Sequence, residues 1–372
     1  MSDLTLILLS AGSSSRFDMP VKKQWLRIND EPLWQFVTRR FTKSYNFNQI
    51  IITASVNEID YMKLFTEHTL VIGGDTRQAS LQNALKHVNT HYVLVSDIAR
   101  CCVNDNLIKK LINSKKNADC IVPFINVNDT VVQNGVTIER KSLKRIQTPQ
   151  LSNTKILKSA LNSDIHYTDE SSAIVANGGT REFIQGDNKA HKLTYMSDLE
   201  HMKCLNAPED VNLCGTGFDV HSFETNKKMV LGGIDIDVNY GFKAYSDGDV
   251  VIHSLIDALL GASAMGDIGT LFPDSSEQYK NIDSTILLTK IVKLINERGF
   301  KIINADITIL AQVPRLEQYK NKIRNNLALL LGVAKHKMNV KATTTEKLGF
   351  IGRKEGVGVQ SIATLKYFDW TK

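Results

Sequence analysis

At 372 residues, 42% hydrophobic and 23% charged, the chain exceeds one average domain and has ample material for two buried cores. The formal net charge of +6 divides evenly, +3 on either side of Asp210, with no basic tail or block. Such a balance excludes nucleic-acid binding as the main role and suits anionic small substrates. No apolar run is long enough to span a bilayer and no signal-type segment opens the sequence, so a cytoplasmic protein with no membrane partner is expected. The five cysteines, Cys101, Cys102, Cys120, Cys204 and Cys214, are odd in number and form no C-x-x-C pair, which predicts free thiols rather than a disulfide framework.

Leu4–Leu9 reads as a buried strand running into Ser10-Ala11-Gly12-Ser13-Ser14-Ser15-Arg16, followed by Lys22-Lys23-Gln24 and an amphipathic helix over Pro32–Thr42. Further strands are predicted at Ile50–Ala54, Leu70–Ile72 and Tyr92–Val95, and helices at Glu58–Phe65 and Arg77–His87. This alternation predicts a mostly parallel sheet covered on both faces. Ligands in such sheets bind beyond the carboxyl ends of the strands. Gly12–Arg16, Gly73–Ser80 and Asp97–Arg100 all fall there, so three loops converge on one rim. Small residues at 12–15 let backbone N–H groups approach a polyphosphate, Arg16 and Lys23 add positive charge, and the Asp97 carboxylate suits a hard cation such as magnesium. Neither a P-loop nor a G-x-G-x-x-G fingerprint is present.

With Ser10-Ala11-Gly12…Arg16, Lys23-Gln24, Gly73-Gly74-Asp75…Arg77…Ser80, Asp97…Arg100, Asp129-Thr130, Arg140…Thr148-Pro149-Gln150, Thr168-Asp169-Glu170 and Lys192…Thr194 in order, residues 1 to about 205 resemble the 2-C-methyl-D-erythritol 4-phosphate cytidylyltransferases. The resemblance implies a Rossmann-like nucleotidyltransferase of the non-mevalonate isoprenoid pathway. Such an enzyme transfers CMP from CTP to methylerythritol phosphate with magnesium and releases pyrophosphate. By the same resemblance, Arg16 and Lys23 stabilise charge developing at the α-phosphorus and Lys192 neutralises the same phosphate. Gly12 and Ser13 would approach the nucleotide, while Gly74, Asp75 and Ser80 would read cytosine and ribose. Arg100, Asp129, Thr130, Arg140 and Thr148 would hold methylerythritol phosphate.

A helix-like stretch over Ser197–Cys204 leads into the polar, Pro-containing Asn206-Ala207-Pro208-Glu209-Asp210. This predicts a domain at 1–205, a short linker at 206–212 and a second domain at 213–372. Beyond it, Lys228–Leu231 and Ile234–Val238 read as a hairpin across Gly232-Gly233. Helices are predicted over Val250–Ala262, Asp283–Arg298 and Leu316–Leu331, and strands over Ile302–Leu310, Val340–Thr344 and Ser361–Tyr367. The mixture indicates an α+β domain. In Gly217-Phe218-Asp219-Val220-His221 the Asp and the His lie two apart on an extended segment and point to one side. With His253 from a helix start, Asp219 and His221 make a ligand set suited to zinc with one position open. The same pattern also describes a strand with one satisfied histidine beside an unrelated capping turn.

Together with Ser246-Asp247-Gly248-Asp249-Val250…His253, Gly266-Asp267-Ile268-Gly269…Phe272-Pro273-Asp274 and Lys341-Ala342-Thr343-Thr344-Thr345-Glu346-Lys347-Leu348-Gly349-Phe350, this stretch makes residues 211–372 resemble the 2-C-methyl-D-erythritol 2,4-cyclodiphosphate synthases. The resemblance implies zinc, or another divalent cation, on Asp219, His221 and His253, and magnesium held by Glu346 between two phosphates. Thr343 and Thr344 would hold the cytidine and its phosphates, with Thr344 and Glu346 in the catalytic set. Tyr245, Ser246, Asp267, Gly269, Asp274, Phe350 and Arg353 are the remaining expected substrate contacts. The 2-phosphate would attack the β-phosphate and expel CMP, closing a cyclic diphosphate. Tyr245 stands where the family commonly has His, and Gln360 where it often has Glu. The family implies a trimer of the second domain, with pairing of first domains as a route to a hexamer. The kinase of the intervening step would be a separate partner. A different sugar-phosphate nucleotidyltransferase, or a non-catalytic nucleotide-binding module, are the other readings of the first half.

Overall fold

The computed structural model describes residues 3–162, 165–273 and 275–372, which divide into two compact units, Met1–Ala207 and Pro208–Lys372. In the first unit, strands β1 (Leu4–Leu9), β2 (Gln49–Ala54), β3 (Thr69–Ile72), β4 (Tyr92–Asp97), β5 (Cys120–Asn126), β6 (Lys144–Ile146), β7 (Gln150–Asn153) and β8 (Arg181–Gln185) share one sheet. Its order is β6-β5-β7-β4-β1-β2-β3, with β8 parallel to β5. All six residues of β1 are buried, as a central strand covered on both faces requires. From β1 the chain steps outward through β2 to β3, then returns to the other side of β1 as β4. The crevice between the carboxyl ends of β1 and β4, where Leu9 pairs with Asp97, is therefore a topological switch point.

Beyond β4 the sheet turns antiparallel, except where β8 joins β5. β7 runs antiparallel to β4 and β5, and β6 antiparallel to β5. The segment between β5 and β6 holds no crossover helix, which a parallel return would need; it forms a small hairpin, Val131–Gln133 with Val136–Ile138. Helices α1 (Leu33–Ser44), α2 (Arg77–Leu85), α3 (Asp105–Asn113) and α4 (Glu170–Ala176) surround the sheet. α1 buries Leu33, Trp34, Phe36, Val37 and Phe41, which share one face at helical spacing.

The expectation of free thiols is corrected. Cys102, just beyond β4, is disulfide-bonded to Cys204 at the end of the unit, with Cα atoms 5.7 Å apart. Cys101, Cys120 and Cys214 remain free. Two cysteines 102 positions apart carry no spacing that announces a pair; only the fold brings them together.

The second unit contains β9 (Leu213–Thr225), β10 (Met229–Leu231), β11 (Ile234–Ile236), β12 (Tyr240–Phe242), α5 (Val250–Ala262), α6 (Ser284–Glu297), β13 (Phe300–Leu310), α7 (Glu317–Leu331), β14 (Met338–Thr343) and β15 (Gly356–Tyr367). Its main sheet runs β12-β9-β15-β13-β14, and β10 and β11 form the expected hairpin. Along β9, Gly215, Gly217, Asp219 and His221 alternate with the exposed Thr216, Phe218 and Val220. The two glycines let β9 lie directly on α5: a Cβ at Gly217 would meet Ser254 O at 2.0 Å, and one at Gly215 would meet Ala258 O at 2.2 Å. α5 is capped by the buried Asp249 carboxylate. It accepts from Val251 and Ile252 N–H of the first turn and from Gly232 and Gly233 N–H in the β10–β11 turn.

Two candidate active sites

At the switch point of the first unit, Gly12, Ser13, Arg16, Lys23, Gly74, Asp75, Ser80, Asp97 and Lys192 line one cavity of about 580 Å³. The 10–16 loop is shaped from outside. Gln24 Nε2 donates to Gly12 O at 3.1 Å, and Ser14, in the left-handed region at φ 59°, accepts from Lys23 N–H and donates to Gln24. Gly73 and Gly74 are needed because a Cβ would strike Ala11 at 2.4 Å or Ala79 at 2.5 Å. Ser80 Oγ accepts from Gly74 N–H at 3.0 Å, fixing that loop to α2.

The charges form a network. Arg77 Nε reaches Asp97 Oδ1 at 2.9 Å, Lys192 Nζ reaches Asp97 Oδ2 at 2.7 Å, and Arg77 Nη1 reaches Glu170 Oε1 at 2.7 Å. Burial works against the Asp97 charge, but Arg77 and Lys192 outweigh it and hold the carboxyl far below its usual range. Glu170 is fully buried, and its pKa is raised by that burial against the pull of Arg77. Lys23 is lowered to about 8, first by burial and then by Lys192 and Arg16. Lys192 and Arg16 thus disfavour the Lys23 charge, and Asp97 offsets them only in part.

Segment 190–194 is stitched to the β4 end, with Leu193 N–H donating to Ala99 O at 2.9 Å and Arg100 Nη1 to Ala190 O at 2.6 Å. Arg100 lines an adjoining hollow of about 270 Å³ with Arg145, Gln147, His191 and Lys192. Asp129, Thr130 and Arg140 are exposed on the 127–143 arm, where Arg140 donates to Asn128 O at 2.6 Å, and Thr148 is buried. Sequence reading missed the roles of Arg77, Glu170 and Arg145. The first two stand in recognisable motifs, but nothing in their spacing says that Arg77 bridges Asp97 to Glu170. Lys22 pairs with Glu58 at 3.4 Å.

In the second unit, Asp219, His221 and His253 converge. His221 Nε2 lies 2.8 Å and His253 Nδ1 3.3 Å from Asp219 Oδ2, and the two ring nitrogens are 3.3 Å apart. Burial alone would raise the Asp219 pKa, but its contacts with the His221 and His253 rings hold it far below the usual carboxylate range. His221 is shifted up, because Asp219 outweighs the opposing effect of burial. Three ligand atoms of hard and borderline character, meeting from a strand and a helix start, could hold a divalent metal ion. The reading of this stretch as an isolated satisfied histidine is thereby set aside.

The other expected residues are more dispersed. Ser246 Oγ lies 3.2 Å from His253 Nε2, and Tyr245 Oη donates to Ser276 O. Asp267 caps the short helix that contains Gly269, accepting from Thr270 N–H at 2.7 Å. Thr343, Thr344, Glu346, Phe350 and Arg353 are exposed; Glu346 accepts from Thr344 Oγ1 at 2.9 Å and Arg353 pairs with Glu355 at 2.7 Å. Asp274 lies outside the described residues.

Comparison with known proteins agrees with this division. Residues 4–205 match the 2-C-methyl-D-erythritol 4-phosphate cytidylyltransferase family and residues 213–366 the YgbB family. The "Bifunctional enzyme IspD/IspF" of Sulfurimonas denitrificans is 56% identical over 99% of this chain and 96% of its own. That of Aliarcobacter butzleri is 53% identical over the full length of both. The solved structure of the bifunctional IspDF from Campylobacter jejuni superposes over both entire chains with a TM-score of 0.93 at 46% identity. The chain belongs to the bifunctional IspD/IspF enzymes, with a cytidylyltransferase as its first unit and a cyclodiphosphate synthase as its second.

Proposed function

We propose that the first unit converts CTP and 2-C-methyl-D-erythritol 4-phosphate to 4-diphosphocytidyl-2-C-methyl-D-erythritol and diphosphate, with the cavity at the β1/β4 switch point as its site. The 4-phosphate oxygen attacks the α-phosphorus in line, and diphosphate departs. Little covalent chemistry falls to the protein; positioning and electrostatic stabilisation supply the acceleration. Arg16 and Lys23 meet the charge on the α-phosphate. Lys192, held on Asp97 in the resting site, exchanges that partner for phosphate. Gly12 and Ser13 present backbone N–H groups, and Gly74, Asp75 and Ser80 take the nucleoside. Arg100 holds the second substrate with Asp129, Thr130, Arg140 and Thr148. Asp97 offers a single carboxylate, which matches magnesium bound mainly through substrate phosphates.

The second unit closes 4-diphosphocytidyl-2-C-methyl-D-erythritol 2-phosphate to the 2,4-cyclodiphosphate and CMP. Asp219, His221 and His253 would hold zinc and Glu346 magnesium, ions that supply Lewis acidity to the phosphate oxygens. Around them, Thr343 and Thr344 grip the cytidine diphosphate, while Tyr245, Ser246, Asp267, Gly269, Asp274, Phe350 and Arg353 shape the rest of the site. The convergence of the Asp219, His221 and His253 ligand atoms within 4.8 Å carries this reading. Measuring zinc bound per chain tests it: one equivalent is expected, lost in His253→Ala, and zinc retained by that variant would overturn the assignment.

A trimer of the second unit is supported by the exposed apolar outer face of β9 and β15, where Phe218, Val220 and Ile362 are 61%, 37% and 42% accessible. Pairing of first units would double it to a hexamer. A separate kinase must supply the 2-phosphate between the two steps and is proposed as an associating partner. A cytoplasmic location is in keeping with the finding that no described helix is long and apolar enough to cross a membrane.

A further inference from the structure

Behind the Asp219–His221–His253 cluster lies a second layer of hydrogen bonds whose direction is fixed by chemistry. His253 presents Nδ1 to Asp219 and His221, while its Nε2 faces Ser284 Oγ at 3.0 Å and Ser246 Oγ at 3.2 Å. Ser284 opens α6 and is fully buried. Its hydroxyl contacts Asp247 Oδ1 and its backbone N–H donates to Asp247 Oδ2 at 3.0 Å. Asp249 N–H also donates to Asp247 Oδ1, at 3.2 Å. An ionised carboxylate only accepts. The single hydroxyl proton of Ser284 is therefore committed to Asp247, and its oxygen can only accept from the imidazole. Ser246 imposes no such direction, since its proton is not committed to a carboxylate.

We propose that Ser284 and Asp247 are positioning residues that lock His253 in the Nε2–H tautomer, leaving the Nδ1 lone pair aimed at the metal. His221 has an analogous but longer contact, its Nδ1 lying 3.5 Å from Lys243 O. A ring held in the ligand tautomer before the ion arrives binds it more tightly, and loss of such partners typically weakens metal binding roughly 10- to 100-fold. Ser284 reaches the cluster from 31 positions beyond His253 and belongs to no ligand pattern in the sequence, so only the fold discloses it.

The inference rests on the zinc reading and is tested separately from it, on the full chain, by competing zinc against a chromogenic chelator. Asp219→Asn tests the reading itself: unchanged zinc affinity there would remove the site. Given a loss there, Ser284→Ala and Asp247→Asn test the relay. Asp247→Asn keeps the side-chain volume but lets its amide donate to Ser284 Oγ, which frees the serine proton to turn toward Nε2. A weakening of roughly 10- to 100-fold is expected in both, with the metal-free melting temperature of at least one within about 3 °C of the parent. Unchanged affinity in either variant, or loss matched in both by a larger fall in metal-free melting temperature, would overturn it.

Discussion

Lys23 is a cavity residue whose chemistry is tuned into the neutral-to-alkaline range by its surroundings. Burial and the nearby Lys192 and Arg16 bring its pKa down to about 8, so the free enzyme carries the charged form below that pH and the neutral form above it. Because kcat/KM reports groups of the free enzyme, kcat/KM for CTP should be level below about pH 8 and fall about tenfold per unit above it. Lys23→Arg, whose guanidinium stays protonated, should remove that limb even if it lowers the rate. Lys23→Ala should lose on the order of 100-fold at pH 7. Rates measured from pH 6 to 10 check all three, and an alkaline limb that persists in Lys23→Arg contradicts the assignment. Arg16, Lys23 and the Asp219–His221 pair were legible from the sequence, because charge and the two-residue strand repeat belong to local chemistry. The Asp97–Arg77–Glu170 bridge was not, since it depends on where three distant segments meet.

Among the elements, β9 and α5 decide whether the candidate metal ligands meet at all. Asp219 and His221 face α5 because Gly215 and Gly217, on the same side of β9, bring the strand against the helix backbone. Gly217→Ala forces a Cβ into Ser254 O, and should destabilise the second unit by about 1–3 kcal/mol while weakening zinc binding. At Gly12, where nothing lies within 4 Å of a built Cβ, the same change should leave unfolding almost unaltered. Urea unfolding of the two variants makes the comparison; equal effects would contradict it. Most element positions were legible: α5 falls on the predicted Val250–Ala262 because its apolar spacing and the Asp249 cap are local features. β15 begins at Gly356, five residues before its predicted start at Ser361, since its first residues pair antiparallel with β9 at a distance no local pattern encodes. The antiparallel turn of the first sheet was hidden for the same reason.

At the scale of the whole chain, covalent and oligomeric states give direct readouts. Thiol titration under denaturing, non-reducing conditions should find three free thiols and, after reduction, five; five before reduction would remove the Cys102–Cys204 bridge. Phe218→Glu places charge on the exposed face of β9 and should convert a trimer or hexamer to smaller species by sedimentation; a wild-type monomer would rule out the proposed assembly. The most direct test of two separate active centres on one polypeptide assays both reactions, with zinc content, in Lys23→Ala and His253→Ala. Lys23→Ala should lose cytidylyl transfer while keeping zinc and cyclisation, and His253→Ala should lose zinc and cyclisation while keeping cytidylyl transfer. Loss of both reactions in either folded variant, or of neither, would contradict it.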